Sequence, residues 1–384
     1  MTATSELGWR VPLSDIHVDD ELADAVLETV RSGWWSMGPR VEKFEGEFAA
    51  FCGAKHALAV ANGTASLHLA LLALGLAPGD EVIVPSLNFV AAANAIVHSG
   101  GTPVFCDIAG PDEPNLDPGD IEAAVGPRTK AILALHYAGF PCDMDAIAAI
   151  AERHGLAIVE DAAHAPGASF RGRMCGTLGS IGCFSFFANK NLPLGEGGMV
   201  VTDDDSLADR IRLLRSHGMT TLTWDRHRGH ASSYDVVTAG LNYRLDEVRA
   251  AIGLVLLSRL RGENAARARI SARYREALDG TQGISMPFRH QDERREPSHH
   301  LAVALLPVGA DRDAIRSSLK DRGVQTSVHY PPIHLFTYYR ETVAPRPLPE
   351  TEAVAQRLLT LPLFGRMTDD QVGTVVEGLL DAVG

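Results

Sequence analysis

Short apolar runs alternate with helical patterns along most of the chain from about Ala54 onward. The run ALAVA precedes the helical pattern SLHLALLALGL, and later strand-like runs are EVIVPS, TPVFCDI, KAILALHY, AIVEDAA, SIGCFSFF and GGMVVTD. The helical pattern DMDAIAAIAERHG lies among them, with Asp143 as its predicted N-cap and Gly155 as its predicted stop. Continuous apolar runs spaced by helices are typical of buried parallel strands. The pattern therefore predicts an α/β fold with a mostly parallel sheet covered on both faces.

A second region begins with a long helical pattern at about 245–278. Beyond it, LAVALLPV, DAIRSSLKDRG, VQTSVHY and two further helical patterns indicate a smaller α+β unit. We therefore expect a large domain at 1–250, N-terminal arm included, and a small C-terminal domain at 251–384. The charged, proline-containing segment at 289–300 is predicted to be a surface loop.

The composition excludes several classes of protein. The 384 residues carry 35 Lys and Arg against 48 Asp and Glu, a net charge of −13, which disfavours nucleic-acid and membrane-surface partners. A hydrophobic content of 46% with 22% charged residues excludes disorder over the bulk of the chain. The five cysteines lack C-x-x-C spacing, so we expect buried thiols and no disulfide or metal site. His136, His299 and His300 are expected to be structural or surface residues.

We expect no signal peptide, because no apolar segment follows a basic start in the first residues of the sequence. Its most apolar long stretch, 82–97, is interrupted by proline, serine and asparagine, which is not the pattern of a membrane span. We therefore expect a cytoplasmic protein.

Two candidate chemical groups follow strand-like runs. Lys190 lies between an apolar run and a glycine-rich turn, and Asp161 ends the run AIVED directly after Glu160. A partly desolvated lysine loses its proton readily and can form an imine, and a carboxylate there can hold a pyridinium N–H. Ligands collect at the carboxyl ends of strands in open α/β sheets. Lys190 can instead be a solvated lysine in a loop, and Asp161 can instead be a helix N-cap. Neither residue on its own decides between the functional and the structural interpretation.

Two further positions that follow strands can bind other parts of a ligand that has an aldehyde and a pyridinium ring. The sequence Asn62-Gly63-Thr64 lies between a strand and an amphipathic helix, where helix N–H groups and a hydroxyl can bind phosphate and glycine permits close approach. The alternative is an ordinary strand-to-helix turn capped by threonine. Phe89 follows the next strand and can stack on a flat ring, although a phenylalanine in an apolar run is more often part of the core. Together the four positions suit a flat phosphorylated aldehyde.

These residues resemble the DegT/DnrJ/EryC1/StrS family of pyridoxal-phosphate sugar aminotransferases, and the resemblance covers almost the whole chain in order. The matching segments are SGWWSMGPRVEKFE, NGTASLHLALLALGLAPGDEVIVPSLNFVAAANAI, GGTPVFCDI, HYAGFPCDMDAI, VEDAAHAPGA, GSIGCFSFFANKNLPLGEGGMV, RLLRSHG, LNYRLDEVRAAIG and TSVHYPPIHL. The family implies fold type I, the aspartate-aminotransferase-like architecture of the pyridoxal-phosphate transferases. It also implies a homodimer whose active sites are shared between the subunits.

The resemblance also implies roles at the cofactor ring. Lys190 resembles the Schiff-base lysine, Asp161 the partner of the pyridine nitrogen, and Phe89 the stacking aromatic. His164 stands at a position that is Gln or His in relatives, close to the ring and its 3′-oxygen. Related C-3 dehydratases carry His in place of the lysine, so Lys190 favours amino transfer over dehydration.

The family implies a phosphate site and a substrate pocket as well. Gly63, Thr64, Ala65 and Ser185 are expected at the phosphate, together with Asn242 from the neighbouring subunit.

For the sugar pocket, the resemblance points to His329 and Tyr330. The residues themselves suggest a second substrate contact, because Arg226 and Arg228 form a basic cluster that can clamp a diphosphate. A solvated surface loop is the alternative for that cluster.

The resemblance implies that L-glutamate donates its amino group to a nucleotide-activated keto-sugar. We expect a dTDP-4-keto-6-deoxyhexose aminated at C-4. The alternatives are a C-3 keto-sugar or a keto-cyclitol of the scyllo-inosose type. A non-enzymatic alternative is an idle regulator or scaffold, which is expected to have lost the lysine or the carboxylate.

Overall fold

The structure, a computed structural model, describes residues 8–221, 229, 233–290, 292–343 and 345–384. Its α-helices are α1 Asp20–Arg31, α2 Pro39–Cys52, α3 Gly63–Ala73, α4 Ala91–His98, α5 Pro118–Ala124, α6 Met144–His154, α7 Asp205–Leu214, α8 Glu247–Leu278, α9 Arg312–Asp321, α10 Thr337–Thr342, α11 Pro349–Arg357 and α12 Asp369–Val383. The longer strands are β1 His56–Val60, β2 Glu81–Pro85, β3 Thr102–Cys106, β4 Ile108–Gly110, β5 Glu113–Leu116, β6 Thr129–Leu135 and β7 Ala157–Asp161. The remaining strands are β8 Ser169–Phe170, β9 Arg173–Met174, β10 Ile181–Ser185, β11 Gly198–Thr202, β12 Arg295–Glu296, β13 Ala302–Leu305 and β14 Leu358–Leu361.

Seven strands form the central sheet, in the order β1-β11-β10-β7-β6-β2-β3. The pairs from β10 to β3 are parallel, and β11 runs antiparallel to both of its neighbours. The predicted α/β fold with a mostly parallel sheet is therefore confirmed. Because β11 is reversed, its beginning lies at the same edge of the sheet as the ends of the parallel strands.

Alternate residues of the buried strands serve two separate apolar layers. In β2, Val82 and Val84 pack with α3, α4 and α7, whereas Ile83 between them packs with α6 on the other face. This period-two alternation explains why both faces of the sheet are covered by helices. Asp143 caps α6 by accepting the N–H of Ala146 at 3.3 Å, and Gly155 ends that helix with φ of 64°, as the sequence predicts.

Helix α8 joins two apolar cores. Asp246 caps it by accepting the N–H of Arg249 at 2.9 Å, and the helix continues for 32 residues, which spans roughly 48 Å. Leu257 in its first half packs in the cluster beside the central sheet, and Tyr274 in its second half packs in the cluster around β13 and β14. The predicted domain division at residue 250 falls within the first turn of this helix and stays a prediction.

The N-terminal segment 10–13 packs on residues 323–325, far away along the chain. The N–H groups of Arg10 and Val11 donate to the carbonyl of Gly323 at 2.9 and 3.0 Å, and Gln325 donates to the carbonyl of Val11 at 2.9 Å. Val11 is fully buried in the C-terminal cluster. We call this segment the N-terminal strap, because it lies across the C-terminal core and adds Val11 to it.

The segment at 289–300 is only partly the surface loop that its charge predicts. It contributes β12 to a small sheet with β8, and its last residues turn inward, so that Ser298 and His300 are buried.

The five cysteines are free and buried, as expected. Among the helices of the described residues, none is long and apolar enough to cross a membrane.

Candidate active site

A cavity of about 380 Å³ opens where the parallel strands end. The residues lining it follow β1, β2, β7 and β10, precede β11, or come from the segment after α9. Among them are Asn62, Gly63, Thr64, Asn88, Phe89, Asp161, His164, Ser185, Asn189, Lys190, Glu196, His329 and Tyr330. Most of the site residues predicted from the sequence therefore meet in one cavity, at the sheet edge where such folds bind ligands.

Lys190 lies five residues beyond the end of β10, in a turn closed by its N–H donating to the carbonyl of Phe187 at 2.9 Å. Burial lowers the pKa of Lys190 to about 8, and the negative charge of Asp161 limits this decrease. Roughly a tenth of the amine is therefore unprotonated at pH 7, far more than for an exposed lysine, and this is the form that acts as a nucleophile or base.

Asp161 is the last residue of β7 and is 4% exposed. Its carboxylate accepts the N–H of Ala163 at 3.2 Å and the side-chain amide of Asn88 at 3.4 Å, both long contacts. Burial raises the pKa of Asp161, although these contacts and the charge of Lys190 counteract part of that rise. A buried carboxylate with so few hydrogen bonds is prepared for a cationic N–H from a ligand.

The turn between β1 and α3 forms a cradle with room for an anion. Asn62 caps α3 by accepting the N–H of Ala65 at 2.8 Å, so the N–H groups of Gly63 and Thr64 remain as the first donors of the helix. A Cβ at Gly63 would lie 2.6 Å from the Cβ of Ser185, so the close approach of these two chains requires glycine.

Among the rings that line the cavity, His164, Tyr330 and Phe89 bear most directly on a ligand. His164 is buried, its Nδ1 accepts the N–H of Ala138 at 3.3 Å, and its Nε2 lies 2.8 Å from the hydroxyl of Tyr330. Burial and the charges of Lys190 and His329 hold the pKa of His164 well below its usual range, so the ring is neutral. Because Nδ1 accepts, the proton resides on Nε2 and is donated to Tyr330. Phe89 is 56% exposed and 5.8 Å from the Tyr330 ring, so its face is open to a ligand.

Some predicted residues lie elsewhere. Ala65 is buried behind the cradle, and its N–H is already donated to Asn62. Asn242 is exposed, pairs with Ser216 in an isolated bridge and does not line the cavity of its own chain. Arg226 and Arg228 fall outside the described residues.

The structure also places residues at the cavity, or beside Lys190, that sequence reasoning missed. Asn88, which contacts Asp161, precedes the predicted Phe89 and shares its position after a strand, so the same argument applies to it. Asn189 precedes Lys190, and its buried Oδ1 has no hydrogen-bond partner among the described residues. His300 reaches Lys190 from a distant, highly charged segment, and no local pattern identifies it.

Behind the cavity, His136, Glu160 and Cys175 place their ligand atoms within 4.8 Å of one another, a grouping that the cysteine spacing does not indicate. The carboxylate of Glu160 already accepts four hydrogen bonds, three from backbone N–H groups of the segment 176–179 and one from Nε2 of His136. This saturation makes the group a structural anchor of that segment.

Comparison with known proteins identifies the family of the chain. The profile of the DegT/DnrJ/EryC1/StrS aminotransferase family matches residues 17–380. The chain belongs to this family. Aminotransferases of the DegT/DnrJ/EryC1/StrS family depend on pyridoxal phosphate, so the predicted family and cofactor are both confirmed.

Three members of the family illustrate the similarity. Spore coat polysaccharide biosynthesis protein SpsC of Bacillus subtilis (strain 168) is 44% identical over 386 residues, covering 98% of this chain and 97% of SpsC. The crystal structure of S. venezuelae DesV is 39% identical, with a TM-score of 0.88 over 97% of this chain and 98% of DesV. Spr1654 of Streptococcus pneumoniae, a putative sugar aminotransferase solved in its PMP form, is 28% identical, with a TM-score of 0.90 over 97% of this chain and 99% of its own.

The residues of the cavity fit pyridoxal phosphate. The cradle that requires Gly63 beside Ser185 suits the phosphate, and the sparsely bonded carboxylate of Asp161 suits the ring nitrogen. Asn189, whose Oδ1 has no hydrogen-bond partner within the described part of the chain, and Lys190 line the same cavity.

Proposed function

We propose that the protein transfers an amino group from L-glutamate to a nucleotide-activated keto-sugar, namely a dTDP-4-keto-6-deoxyhexose aminated at C-4. The observation that carries the transfer chemistry is that Lys190 and Asp161 line one cavity and influence each other's charge. A sugar acceptor is supported by the relatives, since Spr1654 is described as a putative sugar aminotransferase and SpsC as a polysaccharide biosynthesis protein. The nucleotide and the C-4 position rest on the sequence resemblance alone.

In this proposal the bound cofactor supplies an aldehyde that carries the amino group and a ring that accepts electrons. Lys190 removes the α-proton of glutamate through its Nζ and returns a proton later, acting first as base and then as acid. Its pKa of about 8 suits both directions of proton transfer. Asp161 holds the proton on the ring nitrogen, Phe89 offers its exposed face to the ring, and Gly63, Thr64 and Ser185 bind the phosphate.

The neutral His164 donates its Nε2 proton to Tyr330, which leaves the tyrosine hydroxyl free to donate toward the cavity. We place the sugar beside Tyr330 and His329, which line the cavity together with the cradle residues. The same proposal includes a homodimer, in which the exposed Asn242 reaches the phosphate bound by the neighbouring subunit.

The test follows the two halves of the reaction separately. Protein loaded with pyridoxal phosphate is mixed with L-glutamate, and the absorbance spectrum is expected to shift as the amino form accumulates. Candidate ketones are then offered one at a time, and only the true acceptor restores the original spectrum. NMR of the product identifies the aminated carbon.

Each outcome of that test decides a part of the proposal. Amination at C-3, or of a keto-cyclitol, would replace the proposed substrate while keeping the transfer chemistry. A spectrum that does not respond to any amino donor would contradict the enzymatic function and favour a regulator or scaffold. The presence of both Lys190 and Asp161 in the cavity argues against that last result.

A further inference from the structure

His300 lies beside Lys190 although it does not line the cofactor cavity. The side chain is 4% exposed, and its Nε2 is 3.5 Å from Nζ of Lys190, which is a long contact. Catalytic hydrogen bonds are often long before a ligand binds and shorten afterwards. The backbone holds His300 in place, because its N–H donates to the carbonyl of Ala138 at 2.9 Å.

Asn191 determines which nitrogen of His300 carries the proton. Its side-chain NH₂ donates to Oδ1 of Asn264 and to the carbonyl of Ser298, both at 2.8 Å. The carbonyl of Ser298 can only accept, so the amide orientation of Asn191 is fixed and its Oδ1 faces Nδ1 of His300 at 3.0 Å. Nδ1 must therefore carry a hydrogen and donate it.

The far end of this chain of hydrogen bonds is anchored in the long helix. Asn264 lies in α8, and its NH₂ group donates to the carbonyl of Pro166 at 2.9 Å. The turn after β7 is thus linked through Asn264, Asn191 and His300 to Lys190. Because each member has its donors and acceptors assigned, the network is rigid.

We propose that His300 is a positioning residue for Lys190: its neutral imidazole, with the proton fixed on Nδ1, presents the Nε2 lone pair to the lysine amine and orients it. This inference rests on the proposed function, since it assumes that Lys190 is the reactive amine. His300 itself is not among the residues that line the cavity proposed for the cofactor and the substrate.

The surrounding charges favour an acceptor without charge. Lys190, His164, Arg267 and His329 all face His300, and together with burial they hold the pKa of His300 well below its usual range. A carboxylate at this place would raise the pKa of Lys190 strongly and suppress the free amine. An imidazole lone pair orients the amine at a smaller cost to its reactivity.

Two substitutions distinguish the roles of the two ring nitrogens of His300. His300→Asn keeps a donor at the position of Nδ1 and removes the acceptor at Nε2, whereas His300→Gln places an amide oxygen near the position of Nε2. His299→Asn is the matched control, since His299 is the adjacent residue, contacts Phe140 and has a φ of 51°, which asparagine tolerates. Urea unfolding of each variant establishes that it is folded.

The first measurement is the reactivity of Lys190 as a function of pH. The full-length protein, freed of cofactor, is treated with pyridoxal phosphate at a series of pH values, reduced with borohydride and digested to quantify modified Lys190. Asp161, His164 and His329 also face this amine and are unchanged in every variant. Loss of an acceptor destabilises the ammonium form, so His300→Asn is expected to lower the pKa of Lys190 by about one unit. His300→Gln and His299→Asn are expected to leave it near the wild-type value.

The second measurement is the steady-state rate of the loaded enzyme. His300→Asn is expected to reduce kcat about tenfold with an unchanged KM, because one hydrogen bond to the reacting amine is lost and no substrate contact is. His300→Gln is expected to restore most of that rate. A folded His300→Asn protein with the wild-type pKa of Lys190 and the wild-type kcat overturns the role of His300 and leaves the proposed function intact. Failure of Lys190 to form the imine in every protein, wild type included, overturns both.

Discussion

Two adjacent carboxylates at the end of β7, Glu160 and Asp161, occupy opposite faces of the sheet edge and have opposite hydrogen-bonding environments. Glu160 is fully buried and accepts four hydrogen bonds of 2.6 to 2.9 Å. Asp161 is also buried, but its two contacts are 3.2 and 3.4 Å long. The hydrogen-bonding capacity of the first carboxylate is filled by the protein, whereas the second has only these two long contacts and retains capacity for a ligand.

This difference separates a structural acid from a functional one more clearly than burial does. Both side chains are buried, and both lie at the end of the same apolar strand. Of the two, only Asp161 lines the cavity, and burial raises the pKa of its carboxyl group. Unsatisfied hydrogen-bonding capacity in a buried carboxylate therefore indicates a binding role.

The largest expected effect comes from Lys190→Ala, which removes the reactive partner of Asp161 and leaves Glu160 untouched. We expect the turnover number to fall by roughly 10⁴-fold or more, because both the nucleophile and the proton carrier are lost. Stopped-flow absorbance with L-glutamate measures the first half-reaction. The free energy of unfolding is expected to change little, and retention of normal turnover would contradict the assignment.

Asp161→Asn tests the functional side of the comparison. The amide cannot hold the proton of the ring nitrogen, so we expect turnover to fall roughly 10²–10³-fold. At pH 7 the cofactor-free variant is expected to be more stable than the wild type in urea, because a buried, poorly bonded charge has been removed. A loss of stability with normal turnover would reverse the roles of the two carboxylates.

Glu160→Gln tests the structural side. Glutamine has one acceptor oxygen in place of two, so backbone N–H groups of the segment 176–179 lose their partners. We expect the free energy of unfolding to decrease by about 3 kcal/mol, measured by urea denaturation. The variant that folds is expected to keep KM and most of kcat, and a catalytic loss as large as that of Asp161→Asn would show that the comparison is wrong.

The smallest expected effect is a pH dependence. The folded-state pKa of Asp161 is raised above its unfolded value, so ionisation costs stability as pH rises from the unfolded toward the folded pKa. The stability advantage of Asp161→Asn over the wild type is therefore expected to be small at pH 3.5 to 4 and largest at pH 7. Urea titrations of the two cofactor-free proteins at both pH values measure this difference in the free energy of unfolding. A stability advantage that decreased with rising pH would contradict the raised pKa of Asp161.

The sequence predicts the strand-end residues of the site because their positions are local. Lys190, Asp161, Phe89 and the turn at Asn62 each follow an apolar run, and parallel strands bring such positions together. The alternation of β7 also predicts that Glu160 and Asp161 point to opposite faces. It does not predict which of the two faces the ligand, since both faces are buried.

Contacts between segments that are distant in the chain leave no local pattern in the sequence, so they could not be predicted from it. His300 lies in a segment whose charges predict a surface loop, and its burial depends on the turn at Ala138 and on Asn191. The reversed direction of β11 is likewise set by its pairing with β1 and β10, because its apolar residues suit either direction. Tertiary pairing determines these features, and local propensity does not.

The N-terminal strap has a consequence for the time course of biosynthesis. The N–H of Leu13 donates to the side chain of Gln325, a residue 312 positions later. A ribosome needs on the order of tens of seconds to add that length of chain. During that time the strap has been synthesised, but the residues it binds, 323–325, have not. Val11 completes the C-terminal core only after nearly the whole polypeptide has been translated. The first described part of the chain to be made is thus among the last to reach its final place.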